Sequence, residues 1–382
     1  MKFKALPIFL SFLVMGIADA MGPMASAVEK NYELSALMAT LLTFFVFIAF
    51  AVFSVPGGLL AARIGKKNLL LLGLGLNIVA MAVPTFINPG FTLLLVCIFI
   101  LGIGTTFLQV AGNPIMRDVS AEGAYSRNLA LAQGFKGLGS AGSSYLVGLV
   151  LILPFFVTMG WRGVFPVFLL FMILAFVFVL TLKIDETLAD VPPGIGSSLK
   201  LIKQPVFALA VLGIFLYVGA EVSLARFLKP TLESFGFAPD KAALWGPTLF
   251  LGTLTFGRLT AGSLKINART FFRISAALGL AGVALILTGQ EYLTLAGVVL
   301  GGLGFANIWP MLFAITIEEK PEQSSELSGL MVMAISGGAI VPLVMGELTD
   351  SGMGAISYIV PLICFAYLLI LSLKGKKKEV TA

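Results

Sequence analysis

Twelve predominantly apolar segments follow one another along the 382-residue chain, with only short connections between most of them. They lie at approximately 5–27, 34–62, 68–86, 90–116, 125–155, 161–183, 205–231, 241–264, 270–288, 290–316, 324–350 and 354–374. A helix crosses a bilayer in about 20 mostly apolar residues, so the pattern predicts an all-α membrane protein of twelve transmembrane helices. Composition agrees: 58% of residues are hydrophobic and 12% charged, whereas roughly a quarter of a soluble domain is charged. The first segment has a basic start, an apolar run long enough to span and no clear small-residue cleavage site, and is read as the first helix rather than a removed leader.

The longest polar stretch, KIDETLADVPPGIGSSLKLIKQP at 183–205, separates two sets of six segments. This predicts lobes at 1–183 and 205–382 joined by a cytoplasmic linker at 184–204. Placing both termini in the cytoplasm puts Lys2, Lys4, Arg63, Lys66, Lys67, Arg117, Arg127, Lys183, Lys200, Lys203, Lys265, Arg269, Arg273, Lys320, Lys374, Lys376, Lys377 and Lys378 inside. It leaves only Lys30, Arg162, Lys229 and Lys241 outside. Basic residues concentrate on the cytoplasmic side of membrane proteins, so this orientation in the plasma (inner) membrane is expected. The net charge of +6 is then a topology signal and not a nucleic-acid patch. The halves also resemble each other: FLVMGIAD at 12–19 aligns with FLYVGAEV at 215–222, and GFKGLG at 134–139 with AISGGA at 334–339. Parallel repeats of this kind build many transporters.

The chain has no histidine, and its two cysteines, Cys97 and Cys364, sit far apart in apolar runs. That removes the usual zinc ligand and neutral-pH base, so proton chemistry falls to carboxylates. No nucleophile with a base, metal set or paired acids is evident; neither an enzyme nor a cofactor or metal is expected.

Between the second and third segments, GLLAARIGKK at 58–67 resembles the G-x-L-a-D-R-x-G-R-K loop of the major facilitator superfamily. Gly58, Arg63, Gly65 and Lys66 match it; Ala62 stands where the loop has its Asp. The resemblance implies that the glycines permit a tight turn and close helix approach while the basic residues face cytosolic phosphates. YVGAEVSLARFL (217–228), GRLTAGSL (257–264), NLALAQGFKGLGSAG (128–142), QVAGNP (109–114) and SGLMVMAISGGAIVPLVMGELTD (328–350) are similar to the branch holding the fucose–proton symporter and the bacterial glucose/galactose transporters. This implies a monomeric two-lobed sugar transporter that rocks about a midplane site, the first, fourth, seventh and tenth helices lining its cavity. Asp19 with Pro23 matches the branch's Asp four residues before Pro, implicated in proton coupling. Gln109 replaces the acid of its Glu-x-x-x-Asn-Pro pattern, Lys136 an Asn, and Phe305 an Asn five residues before Pro310. Glu221 fits the glucose/galactose type. The expected substrate is a hexose-like sugar, carried by symport with protons, or with sodium as the main variant. An uncoupled facilitator and a broad-specificity exporter remain as alternatives.

A charge at bilayer depth costs about 2.5–3.5 kcal/mol even on permissive scales, so it persists only against a partner or water. Lys136 shares a helical stripe with Gln133, Ser140 and Ser144. Either it pairs with Asp19, which Gly16 and Pro23 flank, so that proton binding to Asp19 frees it and couples ion to substrate, or its ammonium stands where relatives place a cation and leaves a uniporter, or backbone carbonyls or snorkelling to an edge satisfy it. Gln109 and Asn113, four apart, offer donors and acceptors either to sugar hydroxyls or between helices. In the seventh segment Tyr217 and Glu221 are likewise four apart, with Glu221 a sugar ligand or a second titrating site. In the tenth, Asn307 is a hydroxyl ligand, and Trp309 either stacks on a pyranose face or simply packs.

Overall fold

The computed structural model describes residues 6–150, 153, 156–184, 186 and 194–374. Lys2, Lys4, Lys376, Lys377 and Lys378, residues 185 and 187–193 of the linker, and the side chains of Pro23 and Ser144 lie outside that description.

In chain order the helices are α1 (Leu6–Met15), α2 (Met21–Tyr32), α3 (Ala36–Ile64), α4 (Lys66–Phe86), α5 (Phe91–Asp118), α6 (Tyr125–Val150), α7 (Val164–Leu180), α8 (Ile195–Ile202), α9 (Pro205–Ser234), α10 (Pro239–Ala243), α11 (Leu249–Ala261), α12 (Ala268–Leu287), α13 (Glu291–Ala306), α14 (Ile308–Glu319), α15 (Ser324–Met333), α16 (Gly337–Leu348) and α17 (Ile359–Leu373). The described residues are all-α, with no strand.

Among the described residues, each of the twelve apolar segments falls on helix, and eight helical stretches are long and apolar enough to cross a membrane. One of the eight, Pro321–Leu373, carries the last two segments. In the first segment α1 runs through a 3-10 turn at Gly16–Ala20 into α2, α6 carries the polar stripe, and in the eighth a π turn at Leu244–Thr248 containing Pro247 precedes α11. Pro23 has no N–H for the Asp19 carbonyl one turn back, and the tightened Gly16–Ala20 turn lies just before it.

The chain divides into two compact units. One is Met1–Ile202 with Lys320–Met333, the other Lys203–Glu319 with Ala334–Ala382. The short segment Lys320–Met333, which the sequence groups with the second half, thus packs in the first unit, where α15 lies along α3.

Inside each unit, glycines bring two backbones together at matching places. A Cβ on Gly16 would strike the backbone of α6 at Lys136–Ser140, and one on Gly139 would strike the Leu13 carbonyl. In the other unit a Cβ on Gly219 would meet Val341, and one on Gly337 would meet the Phe215 carbonyl. Gly16 and Gly219 are equivalent in the sequence alignment of the halves, as are Leu13 and Leu216's neighbour Phe215 to within a residue. Small residues let membrane helices approach where no hydrophobic force between them operates. The repeat seen in the sequence thus accompanies a close, glycine-permitted helix approach in each unit.

Candidate functional site

In the first unit α5 and α6 hold four polar side chains in one layer. Gln109, Asn113 and Gln133 are 2%, 0% and 3% exposed, and Lys136 is half-buried. Lys136 Nζ donates to Gln109 Oε1 at 3.3 Å, and Gln133 Nε2 to Asn113 Oδ1 at 3.4 Å. Both bonds are long, and Asn113 Nδ2 is buried with no hydrogen-bond partner. A buried donor without an acceptor costs about 1–3 kcal/mol, so the layer is one bond short of complete.

Asp19 is not part of it. The carboxylate is exposed in the 3-10 turn, and no ion pair joins it to Lys136 among the described residues. The Leu13 carbonyl lies opposite Gly139, Gly16 lies opposite Lys136–Ser140, and Ser143 Oγ donates to the Gly16 carbonyl at 3.2 Å, so the two helices ascend together and Asp19 follows the Gly16 contact by three residues. Its carboxylate is exposed, while the Lys136 ammonium turns to α5. The alternative in which Asp19 and Lys136 pair is absent from this structure; the ammonium is met by the Gln109 amide instead.

In the second unit Arg258 on α11 organises the site. Its Nη2 donates to the Tyr217 hydroxyl at 3.0 Å and lies 3.6 Å from Glu221 Oε2, while Nε donates to the Ala306 carbonyl at 3.1 Å. Ala306 ends α13, and Asn307 (φ −112°, ψ 0°) separates it from α14. Asn307 Nδ2 donates to the Gly257 carbonyl at 3.2 Å, and its Oδ1 is buried without a partner. Tyr217 is fully buried, its hydroxyl accepting from Arg258. Trp309 is buried and stacked on Phe313, ring centroids 4.7 Å apart at 22°, so Phe313 covers an indole face. Phe305 packs among Tyr217, Phe250 and Phe365, an apolar cluster at that position.

A family model described as Major Facilitator Superfamily matches residues 8–341. The chain belongs to the major facilitator superfamily. Among curated relatives, the glucose/galactose transporter of Brucella abortus biovar 1 is 29% identical, over 98% of this chain and 94% of its own. The L-fucose-proton symporter of Haemophilus influenzae is 24% identical over 96% and 95%. The crystal structure of the E. coli fucose:proton symporter superposes with a TM-score of 0.83 at 20% identity, covering 96% of this chain and 97% of that one. That likeness establishes the fold.

The superfamily loop between α3 and α4 departs from expectation. Gly65 links the helices at φ +93°, a conformation that favours glycine, and a Cβ on Gly58 would press on the Ser325 carbonyl of α15. Arg63 is exposed. Lys66, however, does not face phosphates: it is 7% exposed and its Nζ lies 2.6 Å from Asp118 Oδ2. Glu186 caps α4 by accepting from the Lys66 and Lys67 N–H groups at 2.5 and 2.7 Å. Lys67 Nζ binds the carbonyls of Leu180 and Leu182 at the end of α7. With Ala62 in place of the loop's Asp, acids from other segments hold the turn. Stranding one member of a buried ion pair costs about 3–5 kcal/mol, whereas replacing both members by apolar groups is often neutral. Lys66→Met is thus expected to lower thermal stability in detergent sharply, and Lys66→Met with Asp118→Leu to regain most of it.

Sequence reasoning assigned no role to Arg258. The signal was present: of the 25 basic residues only Lys136, Arg226 and Arg258 belong to neither face of the membrane in the topology count. Of these, Arg226 is exposed, over Phe227 at 5.6 Å, and Arg258 is buried.

Proposed function

We propose that this chain is a secondary transporter of a neutral, hexose-like sugar, moving its substrate by alternating access and coupling it to protons at Asp19. The observation that carries the reading is the buried amide layer of Gln109, Asn113 and Gln133, joined by Lys136, with Asn113 Nδ2 lacking an acceptor. Each sugar hydroxyl both donates and accepts, so uncharged amides with unused capacity suit it. An exporter of apolar solutes would place aliphatic side chains there. Relatives named for glucose/galactose transport and for L-fucose-proton symport point the same way.

Coupling needs a group whose charge changes during the cycle. Asp19 is exposed within the first span and has no ion-pair partner among the described residues, so it can bind and release a cation without stranding a neighbour. Protons are placed ahead of sodium because relatives of this chain are named for L-fucose-proton symport. A cytoplasmic location of both termini, in the plasma membrane, completes the proposal.

One observation favours a second reading. Lys136 bonds to the neutral Gln109 and not to Asp19, and a cation fixed in the site fits an uncoupled facilitator. Counterflow in proteoliposomes with a panel of sugars, followed by imposed proton and sodium gradients, separates these. Concentrative uptake under a proton gradient is the expected result. Uptake that ignores both gradients leaves the facilitator, and no counterflow of any sugar removes the sugar reading.

A further inference from the structure

A helix end leaves carbonyls without partners inside the helix and carries partial negative charge. Inside a membrane span such groups must be satisfied by protein. The break between α13 and α14 is such an end, and Arg258 Nε meets its Ala306 carbonyl at 3.1 Å. A guanidinium keeps its charge at any working pH, so a counter-charge is required nearby. Glu221 supplies it at 3.6 Å.

The two members of this pair are not equally enclosed. The Arg258 side chain is 9% exposed and that of Glu221 22%. Arg258 is committed to Ala306 and Tyr217, both buried. A carboxylate has about four lone-pair sites; Tyr217 hydrogen-bonds to Glu221, and at 3.6 Å the contact with Nη2 is beyond direct hydrogen-bond range, so Glu221 keeps capacity to accept from a ligand.

We propose that Glu221 and Arg258 form a net-neutral binding pair for sugar hydroxyls, in which Glu221 accepts from adjacent hydroxyls, Arg258 positions it, and neither carries the coupling ion. The proposal rests on the sugar reading and divides the acids between two tasks. Loss of charge at Glu221 would strand a buried guanidinium, whereas Asp19 has no ion-pair partner to strand among the described residues. A carboxylate suits a vicinal diol, whose two O–H groups donate in parallel as charge-assisted bonds.

The test is counterflow in proteoliposomes with a hexose and its singly deoxygenated derivatives, using wild type, Glu221→Gln, Arg258→Lys and the Glu221→Gln/Arg258→Gln double variant. Glu221→Gln is expected to raise KM about tenfold, the loss of a charge-assisted bond, while an imposed proton gradient still stimulates uptake. One deoxygenation should cost wild type about tenfold and Glu221→Gln less than about twofold, because the lost hydroxyl and the lost carboxylate report the same contact. Arg258→Lys keeps the charge but not the fork, and should raise KM less than Glu221→Gln does. The double variant strands no charge, and should fold and share the KM of Glu221→Gln. An unchanged KM in Glu221→Gln with stimulation lost would make Glu221 the coupling acid and overturn the proposal. So would equal deoxygenation penalties in wild type and Glu221→Gln at every position. Should wild type ignore ion gradients, the coupling reading fails, while the KM and deoxygenation comparisons still decide the pair.

Discussion

Asp19→Asn is expected to abolish gradient-driven accumulation and leave sugar counterflow running. The amide has nearly the carboxylate's shape but cannot ionise, so only steps that need a change of charge are lost. The position argues for a complete effect: the group is exposed, lies in the turn at Gly16–Ala20 and has no ion-pair partner among the described residues. Accumulation ratios under an imposed proton gradient, beside counterflow in the same vesicles, measure it. Retained accumulation would remove Asp19 from coupling. Lys136→Ala gives a contrasting readout. Because the ammonium bonds Gln109 at 3.3 Å, its loss should weaken sugar binding and thus lower counterflow at limiting sugar, an effect that Asp19→Asn does not produce.

Gly139→Val is expected to be the most destabilising single change in the first unit. Its Cβ would fall on the Leu13 carbonyl, and backbone has no rotamer through which to yield, so α1 and α6 must separate. Overpacking typically costs about 1–3 kcal/mol and occasionally more; here the upper end or beyond is expected, against a typical net stability of about 5–15 kcal/mol. Gly337→Val, against the Phe215 carbonyl in the other unit, should behave alike. Gly142→Ala is the control on the same helix, since nothing lies within 4 Å of a Cβ there. Thermal unfolding in detergent, with yield of monodisperse protein, distinguishes these from the control. Equal stability of Gly139→Val and Gly142→Ala would show that the close approach is not needed.

The amino-acid sequence by itself determined the solvent, the helical segments and the internal repeat, because each rests on local composition: a run of apolar residues must leave water wherever it ends up, and a Gly at the same place in both halves leaves a trace at fixed spacing. It also marked Gln109, Asn113, Gln133 and Lys136, since polar groups at helical spacing in an apolar run have few places to go. Which of these meet was decided only by tertiary structure. Asp19 and Lys136 are a reasonable pair from helix order alone, but in the fold the carboxylate is exposed and the ammonium meets Gln109 on α5. Lys66 reads as a solvent-facing base until Asp118, 52 residues away, is brought to it. Arg258 acquires a role only when the break at Asn307 exposes a carbonyl beside it. Composition fixes how much each residue gains by leaving water, and only the packed backbone fixes which partner it finds there.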